Sequence, residues 1–275
     1  MSTDKSSNSP QTLPGDWEER LAALESTREP SPRIAVFDLD NTLLIHDVGE
    51  AVFTRLRGLS LAGAIPGITE PLPLSWPQYI QMRETGDRRE AYCRCVTAMA
   101  GLKASFIRQT TREVMNSPGE WLEADGVRIP VPRIDPLMKS LLQRLDRMGF
   151  ETFIISASNH ISVRTVAAEF FGIFPQRAWG IRALTRVDEA GAEILTPELS
   201  EPVPYGTGKP RLYARELGDT PPLVSAGDSL ADIPLLNLTA PGGLVIWAGD
   251  PEILRHDPSL FPDPSMVFPH PGRQA

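Results

Sequence analysis

One decapeptide constrains this chain more than any other stretch: Ile34-Ala35-Val36-Phe37-Asp38-Leu39-Asp40-Asn41-Thr42-Leu43. Its four leading apolar residues read as a buried strand. The strand stops at two carboxylates one residue apart, followed by Asn and Thr. In a parallel α/β sheet the ligand crevice lies outside the carboxyl ends of the strands. Asp38 and Asp40 would therefore stand at the mouth of such a crevice, with Leu39 between them turned toward the protein. Two close carboxylates repel, and an unpaired buried charge is expensive. The pairing is tolerable if a divalent cation sits between them or they share a proton. The plainer alternative is an Asp-rich turn, since Asp also favours turns and helix caps.

At 275 residues and 41% hydrophobic, the chain can bury a sizeable core as one large or two modest domains. A formal net charge of −8 argues against a nucleic-acid or anionic-membrane partner. An anionic substrate would then need a metal or local basic groups to offset the overall field. Cys93 and Cys95 are the only cysteines, which excludes a disulfide framework and leaves any zinc site without a second ligand pair. The N-terminal stretch has no apolar signal core, and no run of about 18 apolar residues occurs. The expected location is cytoplasmic.

Residues 1–15 are polar and rich in Ser and Pro, so disorder is expected there. An amphipathic helix with Trp17, Leu21 and Leu24 on one face follows over 16–26, then the strand at 34–37. Helical patterns recur over 46–60, 88–100 and 103–115, with a Pro/Gly-rich connection over 61–87. From 137 the rhythm is regular: helix 137–148, strand 153–155, helix 162–171, short strands within 178–200, helix 210–217, strand 223–226, helix 230–236 and strand 243–247. Alternating strands and helices argue for an α/β fold with a parallel, helix-covered sheet. The strand ends at 38 and 156 are 118 positions apart, far more than a simple crossover needs. The excess predicts an inserted helical cap over 46–125, on a core made of 16–45 and 126–255. A Pro-rich tail over 256–275 is expected to be irregular.

Three further features fall where the first carboxylates would need them. The strand Phe153-Ile154-Ile155 ends at Ser156, whose hydroxyl can donate to an oxyanion. Gly208-Lys209-Pro210 puts an ammonium at the start of a helix, a compact charge suited to phosphate oxygens. A third strand runs into Gly227-Asp228-Ser229-Leu230-Ala231-Asp232, again ending in acid with a second acid four residues on. Singly, Ser156 could be a helix cap, Lys209 an exposed cation and Asp228 a cap for the helix after it. Together they form acid pair, hydroxyl, lysine and acid pair on one sheet, which is a metal–phosphate constellation.

These four motifs, D-x-D-x-T from Asp38 to Thr42, Ser156 after its strand, Lys209, and G-D-S-x-x-D from Gly227 to Asp232, resemble the haloacid dehalogenase superfamily. The long insertion after the first motif looks like the cap of its phosphoserine phosphatase-like branch. The resemblance implies a Rossmann-like three-layer core, bound Mg²⁺ and hydrolysis of a small phosphorylated metabolite. Asp38 would be the nucleophile and Asp40 the acid and base. Asp38, the backbone carbonyl of Asp40 and Asp228 would hold Mg²⁺. Ser156 and Lys209 would bind the phosphoryl group, with Asp232 supporting Lys209. Asp47, seven residues after Asp40, occupies the position at which phosphoserine phosphatases carry an acid for the substrate ammonium. The position expected for a carboxylate-binding Arg holds Cys95, with Arg94 beside it, which points away from phosphoserine itself. Phosphorylcholine or another amino-alcohol phosphate is the alternative, with Trp76, Tyr79, Tyr92 and Trp121 as candidate faces of an ammonium cage. A phosphotransferase and a non-catalytic regulatory homologue are further readings.

Overall fold

The computed structural model describes residues 11–26 and 32–272. Helix α1 (Gly15–Ser26) precedes strand β1 (Arg33–Phe37), which runs into a tight turn at Leu39–Leu43 and the short strand β2 (Leu44–Ile45). Helices α2 (Val48–Leu61), α3 (Trp76–Thr85), α4 (Arg88–Thr97) and α5 (Ala104–Met115) follow, then the hairpin β3 (Trp121–Ala124) and β4 (Val127–Pro130). The chain returns through β5 (Arg133–Ile134), α6 (Pro136–Arg147), β6 (Phe150–Asn159), α7 (His160–Phe170) and β7 (Ala178–Ile181). A second hairpin, β8 (Ala183–Val187) and β9 (Glu193–Leu199), precedes α8 (Gly208–Leu217), β10 (Val224–Gly227), α9 (Ile233–Leu236), β11 (Leu244–Trp247), α10 (Pro251–His256) and β12 (Val267–Pro269).

Six parallel strands form the central sheet in the order β12-β11-β10-β1-β6-β7. The apolar run of β1 is continuous because both of its faces are covered. Ala35 and Phe37 pack into the core that includes α1, α6 and α7, while Ile34 and Val36 pack with Leu212, Tyr213 and Leu235 of α8 and α9. This three-layer arrangement is the Rossmann-like α/β core expected from the strand–helix alternation.

β2 pairs antiparallel with β5, Leu44 opposite Ile134, so the chain leaves and re-enters the core side by side. In the segment between them, α2 begins beside the carboxyl end of β6, where Gly49 meets Ser158, and α5 packs along α7. The Arg57 guanidinium makes a two-pronged ion pair with Asp125, each bond 2.9 Å, and Asp125 also accepts from the Trp76 backbone N–H. One carboxylate thus ties α2, α3 and the β3–β4 turn together. The stretch 126–130, which the sequence assigns to the core, pairs with β3 instead.

Two ends of the chain differ from expectation. The expected disorder over 1–15 falls largely outside the described residues, but within 11–15 Leu13 is buried and the Gln11 N–H donates to Ser140 Oγ. In the tail, Val267–Pro269 adds a sixth strand beside β11. Proline is tolerated there because the outer side of an edge strand needs no ladder donor.

Candidate active site

Asp38 is the first residue beyond β1, where its backbone N–H still donates to the Ala226 carbonyl of β10 (2.9 Å). The turn that follows needs Asn41 at φ +53°, a left-handed conformation that Asn tolerates better than most residues. It brings Asp40 back over β6, and both carboxylates are buried.

Lys209 is fully buried at the start of α8, and its Nζ bridges Asp38 Oδ1 and Asp232 Oδ1, both at 2.5 Å. The other Asp232 oxygen accepts from the backbone N–H groups of Asp228 and Ser229 and from the Ser229 hydroxyl. That fold-back needs Gly227, where a Cβ would lie 2.5 Å from the Asp232 Cβ. The predicted support of Lys209 by Asp232 is therefore a direct ion pair. Burial, which disfavours the ammonium, is outweighed by Asp232 and Asp38, so Lys209 stays firmly charged.

Asp40 accepts three hydrogen bonds: from the Val48 N–H (2.7 Å) on one oxygen, and from Ser156 Oγ (2.9 Å) and Ser158 Oγ (2.7 Å) on the other. Burial raises its pKa and the three donors oppose that rise. Ser156 differs from expectation. Its hydroxyl is committed to Asp40 and accepts from the Ser158 N–H, and it is Ser158 that lines the crevice. The sequence contained a signal for Ser158, because residues 156 and 158 of a strand share one face.

Asp38, Asp228 and Asp232 offer carboxylate oxygens all within 4.8 Å of one another. Burial pushes the Asp38 carboxyl up to about 7 and Asp228 well above the usual range, each helped by the neighbouring acids. Three carboxylates face a single ammonium, so surplus negative charge is buried here. An all-oxygen donor set with uncompensated charge suits a hard divalent cation such as Mg²⁺. The Asp40 side chain is turned away toward Ser156 and Ser158, consistent with only its backbone being available for a metal.

Asp47 caps α2 through the Glu50 N–H (2.8 Å) and also lines the crevice with Asp38, Asp40, Ser158 and Lys209. The cap and crevice readings of this residue are both true of its geometry. The crevice holds about 70 Å³, roofed by Tyr92 and Tyr205, whose rings lie 5.6 Å apart. A smaller recess of about 10 Å³ continues past Asp47 to Glu50, Tyr79, Tyr92 and Cys95. The four-aromatic cage does not assemble. Trp76 is buried against Phe53 and Tyr79, and Trp121 is 55% exposed under Arg128. Arg94 pairs with Glu90 on the surface, and Arg83, the cation that reaches toward the recess, is bound to Glu50 at 2.6 Å.

The model of the haloacid dehalogenase-like hydrolase family matches residues 35–237, which include every motif of this crevice. The chain belongs to the haloacid dehalogenase-like hydrolases. With two aspartates one residue apart, a buried lysine and a second acid pair around one crevice, it is a phosphoric monoester hydrolase of that family. Among characterised hydrolases, a histidinol-phosphatase of Neisseria meningitidis serogroup C (strain 8013) is 29% identical over 232 residues, 75% of this chain and 87% of that protein. A substrate-bound phosphoserine phosphatase has the same fold, with TM-score 0.52 at 15% identity, covering 90% of this chain and 96% of the other. So does a protein of unknown function from Bordetella pertussis Tohama I, with TM-score 0.59 at 16% identity, covering 84% and 96%. Among the described residues, no helix is long and apolar enough to cross a membrane.

Proposed function

We propose that this hydrolase removes phosphate from a small metabolite whose leaving alcohol carries an ammonium group and no carboxylate. The observation that carries this reading is the charge around the recess. Asp47 and Glu50 face it, and Arg83 is already neutralised by Glu50. With Glu50 and Arg83 satisfying each other, Asp47 is the acid left to meet a ligand in the recess, so a substrate carboxylate would be repelled there and an ammonium would find a partner. The named activity of the 29%-identical relative, on a phosphate ester of an amino alcohol, supports the same class. The recess is too small for a trimethylammonium without opening, which favours a primary amine over phosphorylcholine.

In this reading Asp38 attacks phosphorus and forms an aspartyl phosphate as the P–O bond to the alcohol breaks. Asp40 gives its proton to the departing oxygen, then takes one from the water that releases phosphate from Asp38. Lys209 holds Asp38 in position and offers its charge to the phosphoryl oxygens. Ser158 lines the crevice beside Asp40 and holds that carboxyl through its hydroxyl. Asp38, Asp228 and the Asp40 backbone carbonyl would hold Mg²⁺, which when bound neutralises the surplus acid charge and polarises the phosphoryl group. Tyr92 and Tyr205 cover the crevice and limit the access of water.

A panel of phosphorylated metabolites assayed with Mg²⁺ should place amino-alcohol phosphates above phosphoserine. The Asp47→Asn variant then tests the ammonium contact. Its kcat/KM on the amino-alcohol ester should fall by at least tenfold, while hydrolysis of p-nitrophenyl phosphate stays within about twofold. Equal losses on both esters together with a lower melting temperature would reduce Asp47 to a helix cap.

A further inference from the structure

A second cavity, of about 310 Å³, lies where α5, α7 and the β8–β9 hairpin meet, and it shares no residue with the catalytic crevice. Three guanidinium groups reach it from three different segments: Arg108 from α5, Arg164 from α7 and Arg182 from the link between β7 and β8. Among the described residues none of the three forms an ion pair, and Arg164 Nε makes only a long bond, 3.4 Å, to the Ala178 carbonyl. Thr185, His160, Asn159 and Thr165 add neutral polar groups to the lining.

The nearby carboxylates do not cancel this charge. Glu169 is held by Arg112 through both oxygens, and Glu216, which lies toward Arg164, is held by Arg215. Glu193 is exposed at the rim. Burial and the proximity of Arg182 both work against the Arg164 charge, and Glu216 offsets only part of this. The lining holds three arginines against two carboxylates, Glu169, which is already paired with Arg112, and Glu193, which is exposed at the rim. Guanidinium forks are matched to phosphate and carboxylate oxygens. The volume exceeds what a bare inorganic ion needs and falls at the small end of metabolite sites.

We propose that this arginine-lined cavity binds a small multivalent oxyanion, a phosphate-bearing or dicarboxylate metabolite, at a site separate from the catalytic crevice. Such a ligand would contact the helical insertion through Arg108 and the core through Arg164 and Arg182. It would therefore fasten α5 to α7, alongside the Arg112–Glu169 pair already joining them.

The test is calorimetric titration of the full chain, in a buffer free of multivalent anions, with inorganic phosphate and separately with succinate. Phosphate should fill two sites in the wild type, the crevice and this cavity. Arg164→Gln combined with Arg182→Gln should weaken one of them at least tenfold while turnover at low phosphate is retained. Succinate binding that disappears in the same variant extends the site to dicarboxylates. Arg182→Glu, a single change at an exposed position, should have the same effect and guards against misfolding of the double variant. If neither set of substitutions alters the stoichiometry or affinity of either probe, the cavity is not an anion site.

Discussion

At the scale of single residues, the environment of Asp40 is the most informative feature. A group that must give and then take a proton needs neighbours that accommodate both states. The Ser156 and Ser158 hydroxyls donate to the Asp40 anion here, and each can rotate to accept from the acid. The Val48 N–H cannot reverse, so it anchors the other oxygen in either state. Ser158→Ala is expected to lower kcat by about ten- to a hundredfold, the worth of one hydrogen bond to a charged group. KM should change little, because Ser158 acts chiefly through Asp40. Steady-state kinetics on the preferred ester check this, and a raised KM with normal kcat would make Ser158 a substrate contact instead. Gly49 belongs to the same arrangement: a Cβ there would lie 2.3 Å from Ser158 Oγ, so only glycine lets α2 approach this closely.

At the scale of elements, the junction of α7 with β7 carries a pH liability. His160, the first residue of α7, accepts from the Gly180 N–H of β7 through Nδ1 (3.1 Å) and so is held neutral. Burial first, then Arg164 and Arg182, bring its pKa down from the usual 6.5 to about 3. The unfolded chain therefore binds a proton that the folded chain refuses between those values. The stability contributed by neutral His160 is complete above about pH 6.5 and is lost as pH falls toward 3. At pH 5 the loss is about 2 kcal/mol. Thermal melts at pH 7 and pH 5 should show a smaller acid-induced drop for His160→Asn than for the wild type. Asn keeps an acceptor near the Gly180 N–H but cannot be protonated. Equal drops would mean that His160 is solvated in the folded state.

At the scale of the whole molecule, two strand ends pool acid charge at one crevice. Asp38 follows β1, Asp228 and Asp232 follow β10, and the buried Lys209 offsets only part of their charge. A divalent cation that binds this pool only in the folded chain should stabilise the fold by mass action, about 2.7 kcal/mol at a hundred times its Kd. Chelator should lower the melting temperature and abolish turnover, and Mg²⁺ should restore both. Asp228→Asn should melt no lower than the wild type in chelator, because it removes a buried charge, and should gain little from Mg²⁺. Scanning calorimetry with and without Mg²⁺ measures this, and a wild-type melting point indifferent to the ion would argue against the metal site.

The order of motifs along the chain was enough to imply the parallel α/β core, the crevice at its strand ends and the gathering of Asp38, Asp40, Lys209 and Asp228 around it. These follow from local patterns: apolar runs ending in acid, spaced by helices, leave few topologies open. The strand period hinted at Ser158 beside Ser156, but that both hydroxyls turn to Asp40 was not legible, because it depends on how the turn after β1 lays Asp40 against β6. The aromatic cage failed for a related reason. Trp76 and Tyr92 look equivalent in a helical pattern, but packing around Phe53 buries one and leaves the other over the crevice. The tail strand escaped notice because three residues flanked by proline carry no period, and only the open edge of β11 makes them a strand. The arginine cavity is tertiary throughout. Arg108, Arg164 and Arg182 are scattered over 75 positions of sequence and become neighbours only when α5 packs onto α7.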